Sequence, residues 1–465
     1  MLISKGILCI IFTSFAVHYG WKMRGTVVGG EKGAMVPGLF AGLIPALFAG
    51  GAISKYFWIP AAAGLIGMSY GGIEPYGDSI ALINDPDYVT PNPKKGYVGL
   101  MLKGALWFSI CGGYIGMSMS SMGSVYSVKD IIIFFFMVNA FQFIGYRIFN
   151  QPYNEEKKIY PRIYLSFESR DEWGSNVGVL VAIIVMAGIH KDFIALIMAL
   201  CGFVFGAIGW VAAMRIYHLV ENPMKNGKYL FGVFSRKQLI GGWGCMEYTL
   251  GTFGGFGIAL GFVLAFSNVK KINTNIAENG LFSPFENYEF ISIIIVALCF
   301  IALLIINFSN HQKDEKDIKY NTFIMDCVER PFFNTIPFTL VLLCALPAAR
   351  LMTAFMAIYA LCIKNWFDRL KKSKSRSIFI IISGIICILM FVLDLIIGGF
   401  HPIVLAVSCC LPYIFCEIFH KATCGGKFDF KKLLKFNNFS FTIILLSVQS
   451  IIITIFVWVV SVLWA

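Results

Sequence analysis

Apolar runs recur along the whole chain, separated by short breaks that hold most of the charge. A helix crosses the hydrocarbon of a bilayer in roughly 20 residues. Runs of that order lie near 4–20, 34–54, 56–72, 98–120, 130–149, 175–190, 192–215, 241–266, 289–309, 376–398, 400–420 and 439–464. The stretch 331–364 is interrupted by Pro337, Pro347 and Arg350, and reads as one long span or as a hairpin of two short helices. The pattern predicts an all-α, polytopic integral membrane bundle of about twelve to fourteen transmembrane helices, some broken by Gly or Pro. The runs are continuous and do not alternate, which excludes a closed barrel. The aqueous loops, longest near 73–97, 150–173, 216–240, 267–288 and 310–330, are too short to bury cores of their own. Residues 1–465 therefore read as a single membrane domain.

The first run follows Lys5 and resembles a signal peptide, with Ser14 and Ala16 as a cleavage pair. His18, Tyr19 and Trp21 fit poorly near such a site, so it is read as an uncleaved span. Basic breaks lie at Lys22 to Lys32, Arg215 to Lys237, Lys364 to Arg376 and Lys421 to Lys435. Lys and Arg collect in cytoplasmic loops. Placing all four breaks on that side favours the hairpin at 331–364 and puts both termini outside. Tyr19 and Trp21 are then expected at headgroup level, with Lys22, Arg24 and Lys32 facing the cytoplasm.

Small residues form a ridge at i+4 spacing through Gly38, Gly42, Ala46 and Gly50, and again through Gly251, Gly255 and Ala259. A looser ridge runs through Gly202 and Gly206. Such ridges let helix backbones approach closely in lipid. Arg24 precedes Gly29 and Gly30 as Arg236 precedes Gly241 and Gly242, which raises a weak two-half organisation, 1–215 and 216–465.

Composition agrees. The chain is 58% hydrophobic and 14% charged, with 44 Phe, whereas a soluble chain carries about 25% charge. The net charge of +12 forms no basic stripe with interleaved aromatics, so a nucleic-acid partner is rejected. The thirteen Cys are scattered through apolar runs without a CxxC pair, so no disulfide framework is inferred.

Ionisable groups inside spans are costly and mark function. Glu247 lies a few residues into its span, four before Gly251 and so on the face of the small ridge. It is assigned as an ion or proton carrier. Arg350 follows "CALPAA" and is assigned as partner to an anionic group. Glu31 with Arg24 is assigned to a gate in a Gly-rich segment. Glu168, Arg170 and Asp171 form a mixed-charge cytoplasmic cluster, read as a gate of ion pairs or a wet loop. Asp394 with His401, and Glu74 with Asp78, are read as rim and loop groups. Cys416, His420 and Cys424 share a helical face, but the spacing fits no established finger, so no metal and no cofactor is assigned. No P-loop or HExxH motif occurs.

These features favour a secondary transporter of a small polar or charged solute, in the plasma (inner) membrane. An integral-membrane enzyme acting on a lipid-linked or acyl substrate at the cytoplasmic face is the first alternative. It would use Arg24, Glu31, Glu168, Arg170 and Asp171. A structural subunit of a membrane complex is the second. The partners expected are the lipid bilayer and a small-molecule or ion substrate; the sequence leaves the oligomeric state open.

Overall fold

The computed structural model describes residues 2–24, 30–72, 76–84, 92–150, 163–166, 171–224, 227–232, 235, 240–311, 330–346, 348–350 and 438–464. Among these the chain is all-α, without strands. In chain order the helices are α1 (Leu2–Met23), α2 (Gly30–Ala49), α3 (Gly51–Lys55), α4 (Trp58–Gly72), α5 (Tyr76–Asn84), α6 (Pro93–Met122) and α7 (Val128–Phe149). They continue with α8 (Trp173–Ile189), α9 (Phe193–Glu221), α10 (Gly242–Leu264), α11 (Phe266–Asn279) and α12 (Glu289–His311). A π-helical turn (Pro331–Thr335), α13 (Ile336–Leu342) and α14 (Asn438–Trp464) follow.

Six of the described helices, α1, α6, α7, α9, α10 and α14, are long and apolar enough to cross a membrane. Their outward faces carry large apolar side chains: Phe136, Leu200, Leu264 and Val462 are each more than half exposed. Apolar surface on that scale suits lipid as the solvent. The remaining expected spans at 376–398 and 400–420, with Asp394, His401, Cys416, His420 and Cys424, lie outside the described residues.

Consecutive long helices run antiparallel. Gly251 on α10 places its missing Cβ 2.7 Å from the Val17 carbonyl oxygen on α1, and Gly42 on α2 abuts the Pro60 backbone on α4. The small ridges are thus closed against neighbouring helices. α9 packs between α6 and α10, while α7 pairs with α8. Alternation brings the ends of α1, α4, α7 and α9 and the starts of α2, α6, α8 and α10 to one end of the bundle.

The structure revises several expectations. Tyr19 and Trp21 are buried inside the bundle. Tyr19 bonds Ser450 on α14 at 2.5 Å, and Trp21 stacks on Trp107 of α6. The expected span 34–54 ends as a helix at Ala49, because Gly50 and Gly51 take positive φ (70° and 56°) and turn the chain into α3. Much of the expected aqueous loop 267–288 is the amphipathic helix α11, whose Val269, Ile272 and Ile276 are buried. Asn273 of α11 clasps the α2–α3 turn: its Oδ1 accepts the Ala52 N–H at 2.7 Å and its Nδ2 donates to the Gly50 oxygen at 2.9 Å. In the stretch 331–364, α13 ends at Leu342, and Cys344 turns the chain with φ 53°. Beyond Arg350 that stretch lies outside the described residues.

Candidate functional site

At the shared end of the bundle, α10 starts where α9 stops. The Gly242 N–H donates to Glu221 Oε1 at 2.5 Å, which uses one of the free donors of the α10 N-terminus. Trp243, Glu247 and Gly251 follow at i+4 spacing on the face of α10 turned to α1. Glu247 is buried. Its Oε1 accepts the Trp243 indole N–H at 3.1 Å, and its Oε2 lies 3.8 Å from Lys22 Nζ at the end of α1. The latter is an ion pair longer than a hydrogen bond.

Arg24, just beyond α1, is 3% exposed. It donates from Nη1 to Tyr76 Oη on α5 at 2.5 Å. Its guanidinium carbon stands 4.7 Å from the Tyr76 ring centroid and 5.2 Å from that of Trp21. Both contacts are desolvated, the setting in which a cation–π pair reaches about 2 kcal/mol. Around Tyr76 the rings close into a box. Trp107 of α6 is 5.8 Å away, Trp210 of α9 5.2 Å and Trp243 of α10 6.0 Å. Trp21 stacks on Trp107 at 5.5 Å, and Trp107 meets Trp210 edge-on at 6.0 Å. Arg24 and Glu247 are close enough for their charges to act on each other and on Tyr76. Residues of α1, α5, α6, α9 and α10 thus meet in one buried cluster.

Its hydrogen bonding is incomplete. Among the described residues, Arg24 Nε, Glu247 Oε2 and the indole nitrogens of Trp21, Trp107 and Trp210 are buried without a hydrogen-bond partner. Each such group costs about 1–3 kcal/mol unless something fills it. Among the described residues the charges at this end include Lys22, Arg24, Glu247 and, at the α10 N-terminus, Glu221.

Compared with known proteins, the chain matches no family model, no curated protein and no solved structure. What this site does is argued from its own chemistry.

Of the residues expected from sequence, Arg24 and Glu247 come together with Lys22. Glu31 lies in the first turn of α2, with its side chain outside the described residues, as are Glu74, Glu168 and Arg170. Asp171 belongs to a different place. Its carboxylate is enclosed beside Lys103 of α6, 2.8 Å from Nζ, both side chains fully buried. Lys103 also donates to Ser79 Oγ at 2.9 Å, and Asp171 Oδ2 accepts the N–H groups of Leu165 and Ser166. The wet-loop reading of Asp171 is therefore replaced by a buried ion pair. Arg350 follows α13, an element packed chiefly on α4, α6 and α7.

Sequence reasoning missed Tyr76, Trp107, Trp210 and Lys103. Signals existed. Lys103 is an ionisable residue inside an apolar run. Trp107 and Trp210 lie well inside their runs, where the interfacial preference of Trp does not place them.

Proposed function

We propose that this chain is a secondary transporter of a small charged solute, working in the plasma (inner) membrane. The observation that carries the reading is the convergence of Lys22 with the buried Arg24 and Glu247 beside the aromatic cluster. Intramembrane charges gathered in a shared interior suit a substrate path better than a structural role. In this reading Arg24 receives the solute and Glu247 carries the coupling proton or cation. Glu31, in the first turn of α2 a few residues after Arg24, belongs to the gate at that end. The glycine-lined contacts between α1 and α10 and between α2 and α4 are the faces along which helices shift.

Uptake into proteoliposomes tests this. Labelled small anions, zwitterions and cations are offered under imposed proton and sodium gradients. Expected are saturable, gradient-driven uptake of one class, a loss of at least about tenfold in Arg24→Gln, and loss of gradient coupling in Glu247→Gln. If monodisperse protein moves no class under any gradient, or if both variants transport as well as wild type, the proposal fails.

A further inference from the structure

The amphipathic helix α11 crosses the end of the bundle opposite Glu247 on few attachments. We infer that α11 is a lid that lifts about Ala265 and is latched by Asn273; that it closes the far end of a solute path rests on the transporter reading.

Its position comes from the chain and the packing. α10 ends at Leu264 and α11 begins at Phe266, so Ala265 alone joins them. Ile272 meets Gly123, the residue after α6, and Asn273 holds the turn after α2. α11 also packs on α3 and α9. α6 and α9 carry Trp107 and Trp210 of the buried cluster, so α11 covers the far ends of helices that build it. Trp107 and Met122, the last residue of α6, are about 22 Å apart along the helix axis. A path that continued from the cluster between these helices would end under α11.

The helices beneath are joined by backbone contact. Gly206 of α9 lies against the Gly104 oxygen of α6, and Gly261 of α10 against the Met198 backbone of α9. α11 is held differently. It buries Val269, Ile272 and Ile276, while Lys270, Lys271, Thr274 and Asn275 are exposed. Among the described residues, Asn273 is the one side chain of α11 that hydrogen-bonds another element, and all its bonds go to the α2–α3 turn. Gly280, at φ 75°, ends the helix, and the chain from there to Tyr288 is largely exposed. The pivot is loosely packed as well. A cavity of about 50 Å³ lies beside Phe266, lined by Gly6 and Cys9 of α1, Phe48 of α2 and Phe262 of α10. Interiors leave few such voids, and this one gives the Phe266 ring room to turn. An element with a narrow buried stripe and one polar tie opens locally while the core stays folded.

The experiment follows position 276 in the full chain, reconstituted in lipid nanodiscs. Ile276→Cys is offered a membrane-impermeant maleimide, and peptide mass spectrometry reads that position apart from the native thiols. Ile258→Cys, at a fully buried position of α10, is the control. Adding Asn273→Ala is expected to speed labelling at 276 at least about tenfold and to leave 258 unchanged. A second pair locks the lid. The missing Cβ of Gly123 stands 3.3 Å from Ile272 Cβ, close to the reach of a disulfide. Oxidised Gly123→Cys/Ile272→Cys therefore ties α11 to the end of α6. In proteoliposomes the oxidised pair is expected to take up solute at least about tenfold more slowly than the reduced pair, with recovery in dithiothreitol. The lid is overturned if Asn273→Ala leaves labelling at 276 unchanged, if 258 quickens with 276, or if the oxidised pair transports as fast as the reduced one. Faster labelling at 276 alone, without uptake of any solute, supports the lid and removes the transporter assignment.

Discussion

Lys103 Nζ and Asp171 Oδ1 lie 2.8 Å apart with both side chains fully buried. The pair ties the middle of the bundle to the chain just before α8. Through Ser79 Oγ, which donates to the Leu165 oxygen at 2.7 Å, it reaches α5 as well. Removing one partner strands a charge away from water, which costs about 3–5 kcal/mol. Lys103→Met and Asp171→Asn are each expected to lower the melting temperature in detergent sharply. The double variant Lys103→Met/Asp171→Leu is expected to recover most of the loss. Single variants no worse than the double one would show that the pair is not the source of the coupling.

Gly42 of α2 faces the Pro60 backbone of α4, and an added methyl would strike atoms that cannot swing aside. Gly42→Ala is expected to cost about 1–3 kcal/mol by forcing the helices apart. Gly77 in α5 has open space around its missing Cβ. Gly77→Ala is expected to be neutral or stabilising, by up to about 1 kcal/mol. Thermal unfolding of the two variants side by side measures the contrast, and equal effects would remove the close-contact argument.

Asn273 holds the turn at Gly50 through a donor and an acceptor at once. Asn273→Ala leaves the Ala52 N–H and the Gly50 carbonyl without that partner, a loss of about 1–3 kcal/mol. Asn273→Asp keeps the acceptor and loses less. Hydrogen exchange should quicken first at 50–55 in the Ala variant. Unchanged protection there would mean that α11 does not stabilise the turn.

Asp192, between α8 and α9, caps α9 and is surrounded by donors. Ser120 Oγ, Tyr126 Oη and the Ala195 N–H all donate to its carboxylate. Burial nevertheless holds its carboxyl above the usual carboxylate value, against the lowering effect of those bonds. The folded state therefore keeps the proton longer than the unfolded chain, whose value is about 4. Its contribution to stability is complete below that value and declines as pH rises towards the folded value, then stays level. The difference in melting temperature between wild type and Asp192→Asn should shift in favour of the variant across that window. A difference that ignores pH would contradict the assignment.

The membrane-helix architecture was legible because lipid imposes a local rule: each span must be apolar over about its own length. The ridge through Gly251 was legible for the same reason, and Glu247 followed from it by helical spacing. The partners of these residues were not. Nothing near Lys103 in the chain announces Asp171, and nothing near Arg24 announces Tyr76, Trp107 or Trp210. The α11 helix was missed because its mixed polarity reads as a loop until its buried stripe finds α3 and α6.

By itself the order of residues determined that this is an all-α bundle with helices long and apolar enough to cross a membrane, since hydrophobic length and continuity are properties of consecutive positions. Only the tertiary structure decided that Trp21 turns inward, that Asp171 is an enclosed ion and that Arg24 and Glu247 share one box. Those outcomes depend on which helices lie side by side, and that is settled by packing and by the need to satisfy every buried polar group at once.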